Sequence, residues 1–382
     1  MTLTVGAATS DGTAAVAEAV HAAAAACTPL RLVGRGTWLD AGRPVRAITS
    51  LSLAPLAGIV DYTPGDLTLT AGAGTTLAEI ARVTRAERQW LALDPFGSPE
   101  GTLGATVATT SAGPLAHAFG TPRDNVLGLE FVTGTGAVVH AGGRVVKNVA
   151  GFDLTRLLVG SWGTLGAITE VTVRLRARPE VDATIVLPAP AAPTSLGALL
   201  DQLRAAPVAA LAAELLNAPL AVQLGVADGP ALLVRLAGNA DLVRAEQAAL
   251  AALGDAAAAP VDVWDRLRAC EPAGAAVARF SGPPARMAAT WAHALEVAER
   301  WPGTTVHASV GRGVARCVLP TGDARALASA LQPTFAGTRI FERLPNELWA
   351  TLAPTAVADR LSRGVKRAYD PHRLLNPGIL GE

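Results

Sequence analysis

Lysine is nearly absent from this chain of 382 residues; Lys147 and Lys366 are its two examples. Arginine therefore carries almost all the positive charge. Lys+Arg and Asp+Glu stand at 32 each, so the net charge is zero. No basic run breaks that balance, and a chain that must neutralise many phosphates needs a cationic excess, so nucleic-acid binding is disfavoured. Cysteine is scarce too. Cys27, Cys270 and Cys317 lie far apart and form no CxxC, which removes zinc ribbons, iron–sulfur clusters and dithiol redox motifs. The low, odd count suits a reducing compartment. The six histidines never stand at HxH or HxxxH spacing, while a metal needs three or four convergent ligands; no metal site is expected. His307, alone in a strand-like run, reads as a core residue, and His117 and His372 as structural. The first residues lack the charged segment and apolar core of a signal peptide. The longest alanine-rich stretch, 13–30, holds Glu18 and His21 and is too polar to cross a bilayer. The expected location is the cytoplasm, with any membrane proximity supplied by partners.

What is present is a folded chain with a large core: 50% of residues are hydrophobic and 17% charged. One core rarely grows beyond about 250–300 residues, so more than one domain is expected. Asp11 reads as the cap of a helix reaching about Cys27. "LRLVGRGTW" reads as a strand entering a glycine turn. "GIVDYTP" and "DLTLTAGAG" read as two strands, the second alternating Leu67, Leu69 and Ala71 with Thr68 and Thr70. Thr76, with Glu79 three residues on, is a capping signature. Residues 126–132 and 137–141 read as a hairpin, and "AITEVTVRLRAR" as a strand with Val171, Val173 and Leu175 on one face. The rhythm changes after Arg178. Residues 187–194 read as a Pro/Ala connection, followed by a helix over 195–204 and two strands about Asp228-Gly229. Further helices are expected from Asp241, over 285–300 and from Asp323, with strands on either side of "GRG" at 311–313. That pattern suggests helices on an antiparallel sheet. A last helix is stopped by Pro371.

The chemistry-bearing segments are glycine-rich, and there are 38 glycines. "GRGTWL", "GAGTTL", "GTGAVV" and "GRGVAR" each fail the last position of GxGxxG, and no GxxxxGK[ST] occurs, so neither standard phosphate loop is present. Four separate loops remain, at 34–38, 101–114, 120–128 and 160–170. Glycine lets backbone N–H groups converge on an anion without a Cβ in the way. Hydroxyls of Thr37, Thr102, Ser111 and Thr164 would add donors. Each loop alone is compatible with an ordinary turn; their combination and order point to a cofactor held by several backbone segments. Lys147-Asn148 is a second clue, a rare pair in an arginine-dominated chain. It reads either as a solvated loop or as a polar pair beside a cofactor ring or substrate carboxylate.

"GRGTWLD", "GTLGATVATTSAGP", "FGTPRDNVLGLEF", "GGRVVKNVAGFDLTRLLVGSWGTLGAITEV" and the terminal "YDPHRLLNPGIL" follow one another in an order that resembles the FAD-linked oxidases of the vanillyl-alcohol-oxidase/PCMH type. Within that family the chain is similar to the FAD-binding E subunits of bacterial glycolate oxidase. The resemblance covers residues 30–178 and the last fifteen or so. It implies an α+β fold: a PCMH-type FAD-binding domain of two α+β subdomains over 1–178, an α+β cap domain with an antiparallel sheet over 179–355, and a segment over 356–382 that returns to the FAD domain. It places Gly34, Arg35, Gly36, Thr37, Thr102, Gly104, Ser111 and Gly113 along the pyrophosphate, and Arg123 and Asp124 beside the cofactor. Gly163, Thr164 and Gly166 form a turn, and Ile168 follows it with backbone contacts to the adenine or ribose end. Lys147 and Asn148 are the weak catalytic candidates.

Three functions follow from the resemblance. In the first, the chain works with a larger FAD-binding D-type subunit and an iron–sulfur F-type subunit to oxidise glycolate to glyoxylate. In the second, it is a stand-alone dehydrogenase for a 2-hydroxy acid such as D-lactate. In the third, it is a non-catalytic FAD-holding scaffold. The His-rich metal site of the catalytic 2-hydroxy-acid dehydrogenases has no counterpart here, which weighs against the second. Many relatives attach FAD through a His in the first glycine loop, and "VGRGTWLD" has neither His nor Cys, so the FAD is expected to be non-covalent. Acid precipitation should leave the flavin spectrum in the supernatant; a spectrum retained by the washed pellet would refute this.

Overall fold

The computed structural model describes residues 2–4, 10–143, 153–332, 334–355 and 357–381. The chain divides into two compact units. Unit 1 comprises Met1–Gly113, Gly120–Arg178 and Thr355–Glu382; unit 2 comprises Pro114–Phe119 and Pro179–Pro354. No helix among the described residues is long and apolar enough to cross a membrane.

Unit 1 is built on two main sheets. The smaller is parallel, in the order Thr2–Thr4, Thr49–Ser52, Leu30–Val33. Helix Ser10–Ala25 covers it, burying Val16, Val20 and Ala23 against Leu30 and Leu51; that spacing places the three on one helical face. The helix begins at Ser10, so Asp11 lies in its first turn rather than at its cap. The larger sheet is antiparallel, in the order Ile59–Thr63, Thr68–Gly72, Ala167–Arg174, Val126–Val132, Val138–Gly142. Thr68–Gly72 is buried throughout, so the leucine–threonine alternation does not mark a wet face. Thr70 sits opposite Thr172 in the ladder, and their hydroxyls bond at 2.9 Å. Each satisfies the other, which removes the penalty for burying them. Thr76 caps helix Leu77–Arg85 by accepting the Glu79 N–H at 3.0 Å.

The tail closes unit 1. Helix Arg360–Tyr369 ends before Pro371. The Lys366 ammonium is buried, donates to the Thr164 carbonyl at 2.8 Å and pairs with Asp370 at 2.9 Å. Asp370 is fully buried and accepts the N–H groups of Leu374 and Leu375 at 2.9 Å each. Leu375 then bridges Leu30 in parallel. The Leu30 N–H donates to the Leu374 carbonyl, and the Asn376 N–H donates to the Leu30 carbonyl.

Unit 2 is an eight-stranded antiparallel sheet among the described residues. Its order is Ala257–Ala258, Val181–Pro188, Ala231–Gly238, Ala212–Leu216, Thr305–Ser309, Val314–Leu319, Ala276–Ser281, Thr338–Arg343. Both faces are covered. Ile185, Leu187, Leu232 and Val234 pack under helices Pro193–Ala205, Ala240–Ala251 and Met287–Arg300. Val186 and Leu233, one residue out of phase, pack with helices Ala218–Gln223 and Val263–Ala269. The period-two geometry of a strand makes that division. Two local expectations change. The connection shrinks to 189–192, because the strand runs to Pro188 and the helix opens with Pro193, a residue suited to a first turn. Of the two strands expected about Asp228-Gly229, the one after it is Ala231–Gly238; the residues before it form helix Ala218–Gln223, capped by Asn217, and the pairing partner is the earlier strand Ala212–Leu216.

Asp370→Asn would leave the Lys366 ammonium buried without its counter-charge. Thermal or denaturant unfolding is expected to show a loss of about 3–5 kcal/mol. An unchanged midpoint would remove this pair from the fold's supports.

Candidate functional site

Strand Leu30–Val33 runs directly into the first glycine loop. A Cβ on Gly34 would stand 2.6 Å from Thr102 Oγ1, so only glycine lets this loop approach the start of helix Leu103–Thr109 so closely. Gly36 has a φ of +75°, a conformation side chains disfavour. Thr102 caps the helix by accepting the Ala105 N–H at 3.3 Å, and its own O–H remains a donor. On the far side, Gly163 turns at φ +70° against the Asn376 amide, and Gly166 lies against Phe131. These segments enclose a cleft with about 1120 Å³ of unfilled space, its mouth included.

The cleft has one sign of charge. Among the described residues, the charged side chains lining it are Arg31 and Arg35. Arg31 donates to the Leu39 carbonyl at 2.5 Å. Arg35 meets Glu100 at 3.8 Å, both about half exposed, a weak pairing. The Thr106 and Thr109 hydroxyls are spent on the carbonyls of Thr102 and Ala105. Ser111 Oγ is buried on the cleft wall with no protein partner, a state that costs about 1–3 kcal/mol unless a ligand or water satisfies it. The indoles of Trp38 and Trp162 also line the wall, parallel to within 9° with centroids 6.4 Å apart.

The structure brings three of the four loops to this cleft. Gly34, Arg35, Gly36 and Thr37 line it from the first; Thr102, Gly104 and Ser111 from the second; Gly163, Gly166 and Ile168 from the last. Four other candidates do not line it. A Cβ on Gly113 would stand 1.9 Å from the Asp94 carbonyl oxygen, so Gly113 serves close packing there. Arg123 donates to the Arg156 carbonyl. Asp124 accepts the Thr121 N–H and caps the turn Pro122–Asn125. The Thr164 hydroxyl donates to the Ser161 carbonyl at 2.7 Å. Lys147 and Asn148 lie outside the described residues. Arg31, Trp38, Trp162 and Asn376 also line the wall, beyond the residues expected from the sequence. Trp38 directly follows "GRGT" and Trp162 sits inside "GSWGTLG", so adjacency to the glycines was the available signal.

Unit 2 holds a separate polar cluster. His307 is buried; its Nδ1 pairs with Glu214 at 2.9 Å and its Nε2 stands 3.4 Å from Arg316. Strand register places Arg316 directly opposite His307. Arg316 also pairs with Glu271 and Glu342, and Arg343 with Glu271. Burial opposes the Arg316 charge, but the carboxylates of Glu271 and Glu342 more than offset it and hold its pKa above the usual value. Burial likewise opposes the Glu342 charge, and Arg316 with Arg279 holds that carboxyl below its usual range. His117 is pushed down, chiefly by burial, with Glu214 opposing. Among the described residues no group of three or more His, Cys, Asp or Glu is arranged to hold a metal ion.

Residues 6–142 match the family model described as FAD binding domain. The chain is 35% identical to the glycolate oxidase subunit GlcE of Escherichia coli over 177 residues, 46% of this chain and 50% of that protein. It is 32% identical to the glycolate oxidase subunit GlcD of Bacillus subtilis over 154 residues, 40% of this chain and 33% of that protein. The match thus spans half or less of the length of these relatives. The structure of p-cresol methylhydroxylase with substrate bound superposes with a TM-score of 0.73 at 15% identity, over 100% of this chain and 88% of that one. The chain carries an FAD-binding domain and shares the fold of p-cresol methylhydroxylase. Its cofactor is FAD. The cleft of the FAD-binding domain fits such a ligand in its chemistry: cationic but not anionic side chains, an unpartnered buried hydroxyl, and glycine where a Cβ would obstruct the wall.

In the FAD-binding domain, Gly36→Val would force a branched residue into the left-handed region on the cleft wall. The purified variant is expected to lose its FAD. Gly65→Ala, whose Cβ meets nothing within 4 Å, is expected to keep it. Stoichiometric FAD in Gly36→Val would remove the first loop from the site.

Proposed function

We propose that FAD lies non-covalently in the cleft of unit 1 and that the chain is the FAD-binding subunit of a glycolate oxidase, oxidising glycolate to glyoxylate together with a larger FAD-binding D-type subunit and an iron–sulfur F-type subunit. The observation that carries the cofactor site is the convergence of three glycine loops on one cleft whose charged walls are Arg31 and Arg35. Those arginines and the hydroxyls of Thr37, Thr102 and Ser111 would hold the pyrophosphate and ribose. Bound flavin supplies a two-electron acceptor for the hydride lost from the α-carbon of a 2-hydroxy acid, while a base takes the hydroxyl proton.

The glycolate reading rests on the likeness to two glycolate oxidase subunits. Dependence on partners is favoured by one feature of unit 2. His307 spends its Nδ1 on Glu214, and its Nε2 faces Arg316, so it offers no open ligand position or base. The three cysteines are dispersed, so electrons would leave through clusters held by the partner. Lys147 and Asn148 stay as the candidates for contact with flavin or substrate.

Anaerobic glycolate is expected to bleach the flavin band only when the D-type and iron–sulfur subunits are co-purified with the chain. Bleaching by the isolated chain would favour the stand-alone dehydrogenase. No bleaching in the assembled complex would favour the scaffold.

A further inference from the structure

We propose that Trp38 and Trp162 form an aromatic subsite that stacks on a planar heteroaromatic ring of the bound dinucleotide, resting on the reading that FAD occupies this cleft. Trp162 has a φ of +55°, a region a bulky side chain rarely enters and in which strain usually serves a function. The backbone is held there from both sides. The Trp162 N–H donates to the Ala108 carbonyl at 2.8 Å, and its carbonyl accepts the Asn376 side-chain amide at 2.7 Å. Gly160 at φ +81° and Gly163 at φ +70° frame the turn. A glycine at 162 would suit this conformation better, so the turn itself does not require an indole.

The indole is not needed for the core either. Trp162 and Trp38 are only half-buried and belong to neither hydrophobic cluster of unit 1. The surrounding chain makes room for them. A Cβ on Gly42 would stand 2.9 Å from the Trp162 ring, and one on Gly97 3.6 Å from the Trp38 ring. Two parallel π surfaces on the wall of a cleft whose charged side chains are arginines suit a ligand that joins flat rings to anionic groups. Adenine and isoalloxazine share that chemistry.

Trp162→Gly separates stacking from folding, because it relieves the left-handed strain while removing the ring. The apoprotein of this variant is expected to unfold at or above the temperature of the unsubstituted apoprotein. Its FAD affinity, measured by fluorescence titration of the full chain, is expected to fall about tenfold or more, and Trp162→Phe to restore most of it. ADP and FMN as competitors name the ring: a loss confined to ADP assigns adenine, and one confined to FMN assigns isoalloxazine. Unchanged FAD affinity in Trp162→Gly, or an affinity loss that comes with a lowered unfolding temperature, overturns the subsite. An unsubstituted chain that binds no FAD overturns the cofactor site, and the subsite with it.

Discussion

The cleft of unit 1 depends on the return of residues 374–376 to the strand Leu30–Val33. That strand is an outer one of its three-stranded sheet, and its open side would otherwise present unpaired backbone groups. The tail supplies them: Leu30 exchanges bonds with Leu374 and Asn376, and the Asn376 side chain accepts the Leu32 N–H at 2.8 Å. The same side chain donates to the Trp162 carbonyl. One amide therefore ties the strand that launches the first glycine loop to the turn that forms the opposite wall. Lys366 and Asp370 anchor the tail from behind through Thr164 and the Leu374 and Leu375 amides. Ion pairs buried to this degree are costly unless every remaining donor and acceptor is used, and here the extra bonds go to the backbone of the two segments being joined.

Unit 2 solves a different problem. Its sheet is covered on both faces, so its strands are largely apolar, and most of its buried charges form one paired set. Glu214, His307, Arg316, Glu342 and Arg343 stand on its strands and pair with one another or with Glu271, which lies in the connection before Ala276–Ser281. The thiols nearby are chemically quiet: burial first, and then the Glu271 charge, pushes Cys270 up to about 11, and burial pushes Cys317 higher still. Unit 1 uses glycine to bring backbone close to a space, and unit 2 uses charge balance to fill one.

Much of this was legible from local pattern. Thr76 before Glu79, the alternation in residues 167–174 and the turns at Gly36 and Gly163 report local conformation, whereas Gly34 and Gly166 answer to Thr102 and Phe131, which lie far off in the chain. Local pattern misled where burial depends on what lies across the sheet. Thr70 alternates with leucines in the sequence, yet it is buried, with its hydroxyl bonded to Thr172 opposite. Thr164 reads as a ligand donor, yet its hydroxyl goes to the Ser161 carbonyl three residues away. Gly113, Arg123 and Asp124 belong to glycine-rich segments of the right composition but serve packing and capping at the positions they occupy.

The sequence by itself determined most of the element types and the glycine positions that permit close backbone approach. These are properties of single residues and short spacings. Only the tertiary structure decided which loops share a cleft, because Asn376 reaches Leu32 across 344 positions and no local period encodes that meeting. It also decided that Trp38 and Trp162 lie parallel on one wall, since a ring's orientation follows from the backbone that holds it, and the tail holds that of Trp162 through Asn376.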